Sequence, residues 1–93
     1  MFTGLIQAIG IVKRVSGSPE GKTLAIQCPD LIADIAVDDS IAVNGVCLTA
    51  TRLDPDGFIA QAIHTTLEKT TIGLLEPEQR VNLELAMRAS DRL

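Results

Sequence analysis

The chain reads as an all-β domain: a small, closed, six-stranded antiparallel barrel with one or two short helices. Three observations predict it. Apolar and polar residues alternate over several short segments, the period of a half-buried strand. Turn signals separate these segments at intervals of roughly 8–12 residues. The 93 residues have room for one hydrophobic core, so residues 1–93 form a single domain. Closing such a sheet on itself removes the exposed edges that a flat one would carry.

The elements follow in order. Residues 4–15 carry Ile, Val and Ala in loose alternation, long for one strand, with a bend expected at Gly10. Residues 16–21, SGSPEG, have the composition of a loop, and residues 23–28 return with Leu24, Ile26 and Cys28 on one face. Residues 29–35, PDLIADI, suggest a short helical turn capped near Asp30. Residues 36–43 and 46–53 form a central hairpin around Asn44-Gly45, a pair that tolerates the positive φ of a tight reversal. In Asp54-Pro55-Asp56-Gly57 the proline presets φ for a turn, and residues 58–63 make the next strand. Thr65-Thr66-Leu67-Glu68 matches a capping box, so a short helix is expected to start there. After the turn at residues 76–79, Val81, Leu83, Leu85 and Met87 alternate with smaller or polar residues in a last strand.

Composition excludes several classes. An apolar content of 46% and a mean hydropathy of +0.28 are incompatible with disorder. The net charge is −4, with two Phe and no Trp or Tyr, so the basic stripe and stacking platform of a nucleic-acid binder are missing. No run approaches a membrane span, and the opening residues lack the basic region of a signal peptide. A cytoplasmic location is the expectation. Two cysteines without a CxxC, and one histidine in the whole chain, cannot assemble a metal site. Cys28, followed by Pro29, reads as a small apolar filler.

The run Ser40-Ile41-Ala42-Val43-Asn44-Gly45-Val46-Cys47-Leu48-Thr49 is less ordinary, because two hydroxyls and a thiol sit on otherwise apolar strands. Together with MFTGLI at residues 1–6, QAIHTTL at 61–67, Asn-Leu-Glu at 82–84 and the closing residues 88–93, it resembles the amino-terminal barrel of the riboflavin synthases, the lumazine-binding family. In that family the last segment is followed by a Gly-Gly-His motif opening a second, homologous barrel. The chain therefore reads as the amino-terminal half of such a protein.

The resemblance implies a Greek-key barrel and a dismutation in which two molecules of 6,7-dimethyl-8-ribityllumazine exchange a four-carbon unit. The products are riboflavin and a ribitylamino-pyrimidinedione, and no cofactor or metal is required. It implies that Gly4, Leu5, Ile6, Cys47, Leu48, Thr49, Gln61, Ala62, Ile63, His64, Thr65 and Thr66 line the ligand, partly through main-chain groups that read the ring's donors and acceptors. Ser40 and Cys47 would be the polar groups nearest the reacting carbons. Cys47 is not expected to be a covalent nucleophile, since no Lys, Arg or His adjoins it in sequence. Each residue has a plainer reading too. Ser40 can satisfy a turn, Thr49 is an ordinary strand residue, His64 is a surface imidazole, and Thr65 and Thr66 cap a helix. The family commonly has Glu-Thr-Leu where this chain has Thr65-Thr66-Leu67, which removes a carboxylate from the site.

Two functions of different class follow: a riboflavin synthase domain, slow or inactive as a single barrel, or a carrier that binds lumazine or flavin without turnover. A single barrel is expected to pair as a homodimer through Leu5, Ile11, Leu85 and Met87, whereas a full two-barrel chain of the family forms a homotrimer.

Overall fold

The computed structural model describes residues 2–87. Six strands, β1 (Ala8–Ser18), β2 (Gly21–Gln27), β3 (Ser40–Val43), β4 (Val46–Asp54), β5 (Gly57–Ile63) and β6 (Arg80–Leu85), close into an antiparallel barrel of order β1-β2-β5-β4-β3-β6. One short helix, α1 (His64–Lys69), follows β5, and 3-10 turns occupy Ile32–Asp34 and Thr71–Leu74. The closing residues 88–93, one of the motif segments, lie outside the described residues.

Leu24, Ile26 and Cys28 share the inner face of β2, as their alternation predicts. Val12, Leu24, Ile26, Ile41, Phe58 and Leu83 point inward and are almost completely buried. Asn44 and Gly45 adopt φ of 50° and 81° between the paired Val43 and Val46. That is the left-handed backbone the Asn-Gly pair was read for.

Several local expectations are corrected. Residues 16–18, loop-like in composition, are strand, since β1 pairs with β2 as far as Ser18↔Gly21 and only Pro19 and Glu20 turn. β1 also carries a β-bulge between Val12 and Arg14, where Lys13 is the extra residue. β3 begins at Ser40, because Ala36 N–H donates to the Asp39 carboxylate at 2.8 Å and residues 36–39 turn. The helical turn near Asp30 is a 3-10 turn at Ile32–Asp34 with no side-chain cap; Leu31 and Ile32 N–H instead donate to the Cys28 carbonyl at 3.0 and 3.1 Å. The capping box is not used either. Ile63 stands at the cap of α1 without a side-chain hydrogen bond, since β5 runs directly into the helix. β6 ends at Leu85, before Met87.

Gly57 faces Gln27 in the β2–β5 ladder, and a Cβ there would lie 2.1 Å from the Ile26 carbonyl oxygen. Backbone cannot move aside as a side-chain tip can, so Gly57→Ala is expected to lower stability by about 2 kcal/mol. Urea denaturation measures this; a change within experimental error would show that the two strands can separate at no cost.

Candidate functional site

The β4–β5 ladder runs from Asp54↔Gly57 to Thr49↔Gln61 and stops before either strand does. Continued in step, it would set Leu48 opposite Ala62 and Cys47 opposite Ile63, and neither pair forms. Along these facing edges the main-chain N–H and C=O groups of Cys47 and Ile63 have no strand partner in the β4–β5 ladder, an arrangement that invites another hydrogen-bonding surface. The residues at this opening, 47–49 and 61–63, are among those the sequence singled out.

Alternation sorts their side chains. Leu48 and Ala62 are 3% and 1% exposed and point into the core, and their main-chain groups face β3 and β2, in step with Ala50 N–H on the Asp39 carbonyl and Cys28 N–H on the Asp56 carbonyl. Cys47, Thr49, Gln61 and Ile63 lie on the outer face. There Ser40 stands opposite Thr49, Thr49 opposite Gln61, and Gln61 opposite Thr23, giving a polar row across four strands. Cys47 is exposed and is not a core filler.

The amino-terminal segment forms a wall beside this row. Glu84 and Ala42 are register partners on the outer face, yet both are buried. Residues 3 and 4 lie over them. One Glu84 carboxylate oxygen accepts from Thr3 N–H at 2.5 Å and from the Thr3 hydroxyl at 2.8 Å, and the other accepts from Gly4 N–H at 3.0 Å. Gly4, at φ 83°, supplies the reversal. Leu5 and Ile6 remain 71% and 59% exposed. With Gly4, Ala42, Gly45 and Glu84 they line a hollow of about 80 Å³, and Ala42 is also the ladder partner of Cys47.

The other flank is built by the β1–β2 turn. The Glu20 carboxylate accepts from Gln61 Nε2 at 3.2 Å, and its carbonyl accepts from His64 N–H at 3.0 Å. His64 Nε2 lies 3.3 Å from the Pro19 carbonyl, a contact that places the hydrogen on Nε2. The imidazole, with no orienting neighbour in sequence, is thus held by a turn 45 positions away. Thr65 is exposed and Thr66 half-buried on α1, and the Thr66 carbonyl accepts from the Thr70 hydroxyl at 2.6 Å.

Cys28 lies apart, fully buried; burial, with the Asp56 carboxylate adding, pushes its thiol up to about 11 and keeps it a neutral filler. Among the described residues no group of three or more His, Cys, Asp or Glu side chains could hold a metal ion. No helix there is long and apolar enough to cross a membrane. A larger hollow of about 210 Å³, between Lys13 and Arg14 and the carboxylates Asp54 and Asp56, is lined by none of the residues the sequence singled out. Sequence reasoning missed Glu84 and Glu20. Glu84 alternates with Leu83 and Leu85 as a solvated strand residue would, and only its place in the Asn-Leu-Glu motif marked it.

Comparison with known proteins gives three findings. The family model described as the lumazine binding domain matches residues 3–86. The riboflavin synthase of Schizosaccharomyces pombe is 42% identical over 94 aligned positions, covering 100% of this chain and 45% of the relative. Among solved structures, LumP complexed with 6,7-dimethyl-8-(1'-D-ribityl) lumazine superposes with a TM-score of 0.86 at 30% identity, covering 100% of this chain and 52% of the other. LumP complexed with flavin mononucleotide gives 0.85 at 26% identity, over 91% and 49%. The chain thus spans less than half the length of that curated relative.

Hydrogen bonding from Thr3 N–H, with further bonds from the Thr3 hydroxyl and Gly4 N–H, holds the Glu84 carboxyl below its ordinary value of 4.5, against the opposing effect of burial. The carboxylate form is the one that accepts these bonds. A depressed acid stabilises the fold at pH above its unfolded value and loses that contribution as pH falls through its lowered folded value. The Thr3–Glu84 tether is therefore expected to persist at pH 4.5 and to release only on further acidification. An NMR titration of the Glu84 carboxyl checks this; a midpoint at or above 4.5 would contradict it.

Proposed function

The chain belongs to the lumazine-binding domain family, and from that premise we propose that it binds 6,7-dimethyl-8-ribityllumazine and riboflavin at the opening between β4 and β5. The observation that carries this reading is the interrupted ladder beyond Thr49↔Gln61. A pteridine edge presents alternating donors and acceptors, and unpaired strand edges present the same alternation in return. Cys47 and Ile63 would act through their main chains with Leu48 and Ala62 beneath them, while Gly4, Leu5, Ile6 and the Ile63 side chain supply apolar walls for the ring. Thr49, Gln61, His64, Thr65 and Thr66 supply side-chain hydrogen bonds, the usual make-up of a small-molecule site.

Where two such barrels are joined, they would face their ligands toward each other and pass a four-carbon unit between them, the reaction of a riboflavin synthase. Ser40 and Cys47 would stand nearest the reacting carbons. A binding-only role is the second reading, favoured by the two similar solved structures, which are LumP in complex with a lumazine and with flavin mononucleotide. Incubation with the lumazine separates the two: riboflavin absorbance that grows marks turnover, and a bound spectrum that stays constant marks binding alone. A single barrel is expected to bind with turnover absent or very slow, because transition-state contacts from the second barrel are missing.

Thr49→Leu is expected to weaken riboflavin binding by more than ~1 kcal/mol, since a buried ligand polar group would lose its partner. Fluorescence titration measures it, and unchanged affinity would remove Thr49 from the site.

A single barrel is also proposed to dimerise. Leu5 is exposed, Ile11, Leu85 and Met87 are half-buried, and a two-fold axis uses one patch twice. Light scattering during size-exclusion chromatography is expected to give about twice the 9.9 kDa chain mass. A mass of one chain throughout the micromolar range would rule the dimer out.

A further inference from the structure

Among the described residues, Glu84 is the buried side chain that carries charge, at 7% exposed. A carboxylate gives up much hydration to sit there, and it is retained only where donors replace the lost water. The donors are two successive main-chain N–H groups and a hydroxyl, all from Thr3 and Gly4. Both carboxylate oxygens are engaged, so the segment is fixed in orientation as well as in place. Just beyond, Gln7 N–H donates to the Leu83 carbonyl at 2.9 Å, and Leu85 N–H donates to Gln7 Oε1 at 2.8 Å. Residues 3–7 are thereby pinned to β6 at both ends. Between the pins stand Leu5 and Ile6, well exposed at the hollow they share with Ala42 and Gly45.

Two large apolar side chains held in water by a rigid tether serve no folding purpose of their own. A ligand at the adjoining β4–β5 opening would bury them. We infer that Glu84 is a positioning residue for the ligand, acting through the Thr3-Gly4 tether to seat Leu5 and Ile6 as a preformed wall. The inference rests on the ligand site proposed above. Without the tether the segment would have to be ordered by the ligand itself, and that ordering cost would appear as lost affinity. A glutamine in place of Glu84 offers one acceptor oxygen where three donors converge, and its NH₂ faces another N–H.

Riboflavin titration of the full chain tests this as a double-mutant cycle. Glu84→Gln is expected to weaken binding about tenfold through lost preorganisation, with an unchanged circular dichroism spectrum and faster amide exchange at Thr3 and Gly4. Leu5→Ala is expected to weaken binding in the wild-type background and to cost nothing further in the Glu84→Gln background, because Leu5 is no longer seated there. A merely structural role predicts additive losses, and additivity overturns the inference. So does Glu84→Gln binding as tightly as wild type. Should Glu84→Gln fail to fold, Thr3→Val removes one donor only; about a threefold loss is then expected, non-additive with Leu5→Ala, and unchanged affinity overturns the inference. A wild-type chain that binds neither riboflavin nor the lumazine overturns the proposed ligand site and this inference together. Binding by wild type with no difference in the variants overturns this inference alone.

Discussion

A sheet that closes on itself must find a partner for every strand edge, and the β4–β5 ladder stops finding one beyond Thr49 and Gln61. Much of the remaining architecture can be referred to that interruption. Below it β4 and β5 stay paired as far as Asp54↔Gly57, and the barrel interior is filled by Phe58, Leu24, Ile26 and their neighbours. Above it the strands keep their extended form without each other. Cys47 and Leu48 are still paired to Ala42 and Ile41 of β3, and Ala62 and Ile63 to Lys22 and Gly21 of β2. Each edge is thus rigid although it faces an opening. A binding surface made of main chain needs that combination of fixed geometry and unspent hydrogen bonds.

The outer face of the same strands is organised by a different kind of interaction. Core packing cannot position residues 3–6, because they lie outside the barrel. A buried carboxylate does so, drawing two N–H groups and a hydroxyl to one point on β6. The polar turn of Pro19 and Glu20 acts in the same way at the opposite flank, reaching Gln61 and His64. Both flanks depend on contacts between residues far apart in sequence, whereas the strands between them depend on pairing. The carboxylate that the family resemblance expects at position 65 is replaced by Thr65, but Glu20 brings one to the neighbouring Gln61 by way of the β1–β2 turn.

The parts that were legible in sequence have a local cause. Asn44-Gly45 announces its turn because few residues accept positive φ, and Asp54-Pro55-Asp56-Gly57 because proline fixes φ before the chain reverses. Leu24, Ile26 and Cys28 announce the inner face of β2 by their period alone. The misread parts failed where a distant contact overrode a local preference. Ser16 and Gly17 look like loop residues but are held as strand by Thr23 and Lys22 opposite them. Thr65 and Thr66 look like caps, but β5 carries its extended backbone into the first turn of α1, and Glu20 takes the His64 N–H.

By itself, then, the sequence determined the class of fold, the inward face of β2, the alternation of β6 and the residues that flank the opening. These follow from steric limits on φ and from the two-residue period of an extended chain, both of which act between near neighbours. The tertiary structure alone decided that the β4–β5 ladder ends early, that Cys47 and Ile63 turn their main-chain groups to the opening, and that Glu84 holds the amino-terminal wall. Register and the partners of a buried charge depend on which distant strand lies alongside, and no local pattern of residues carries that information.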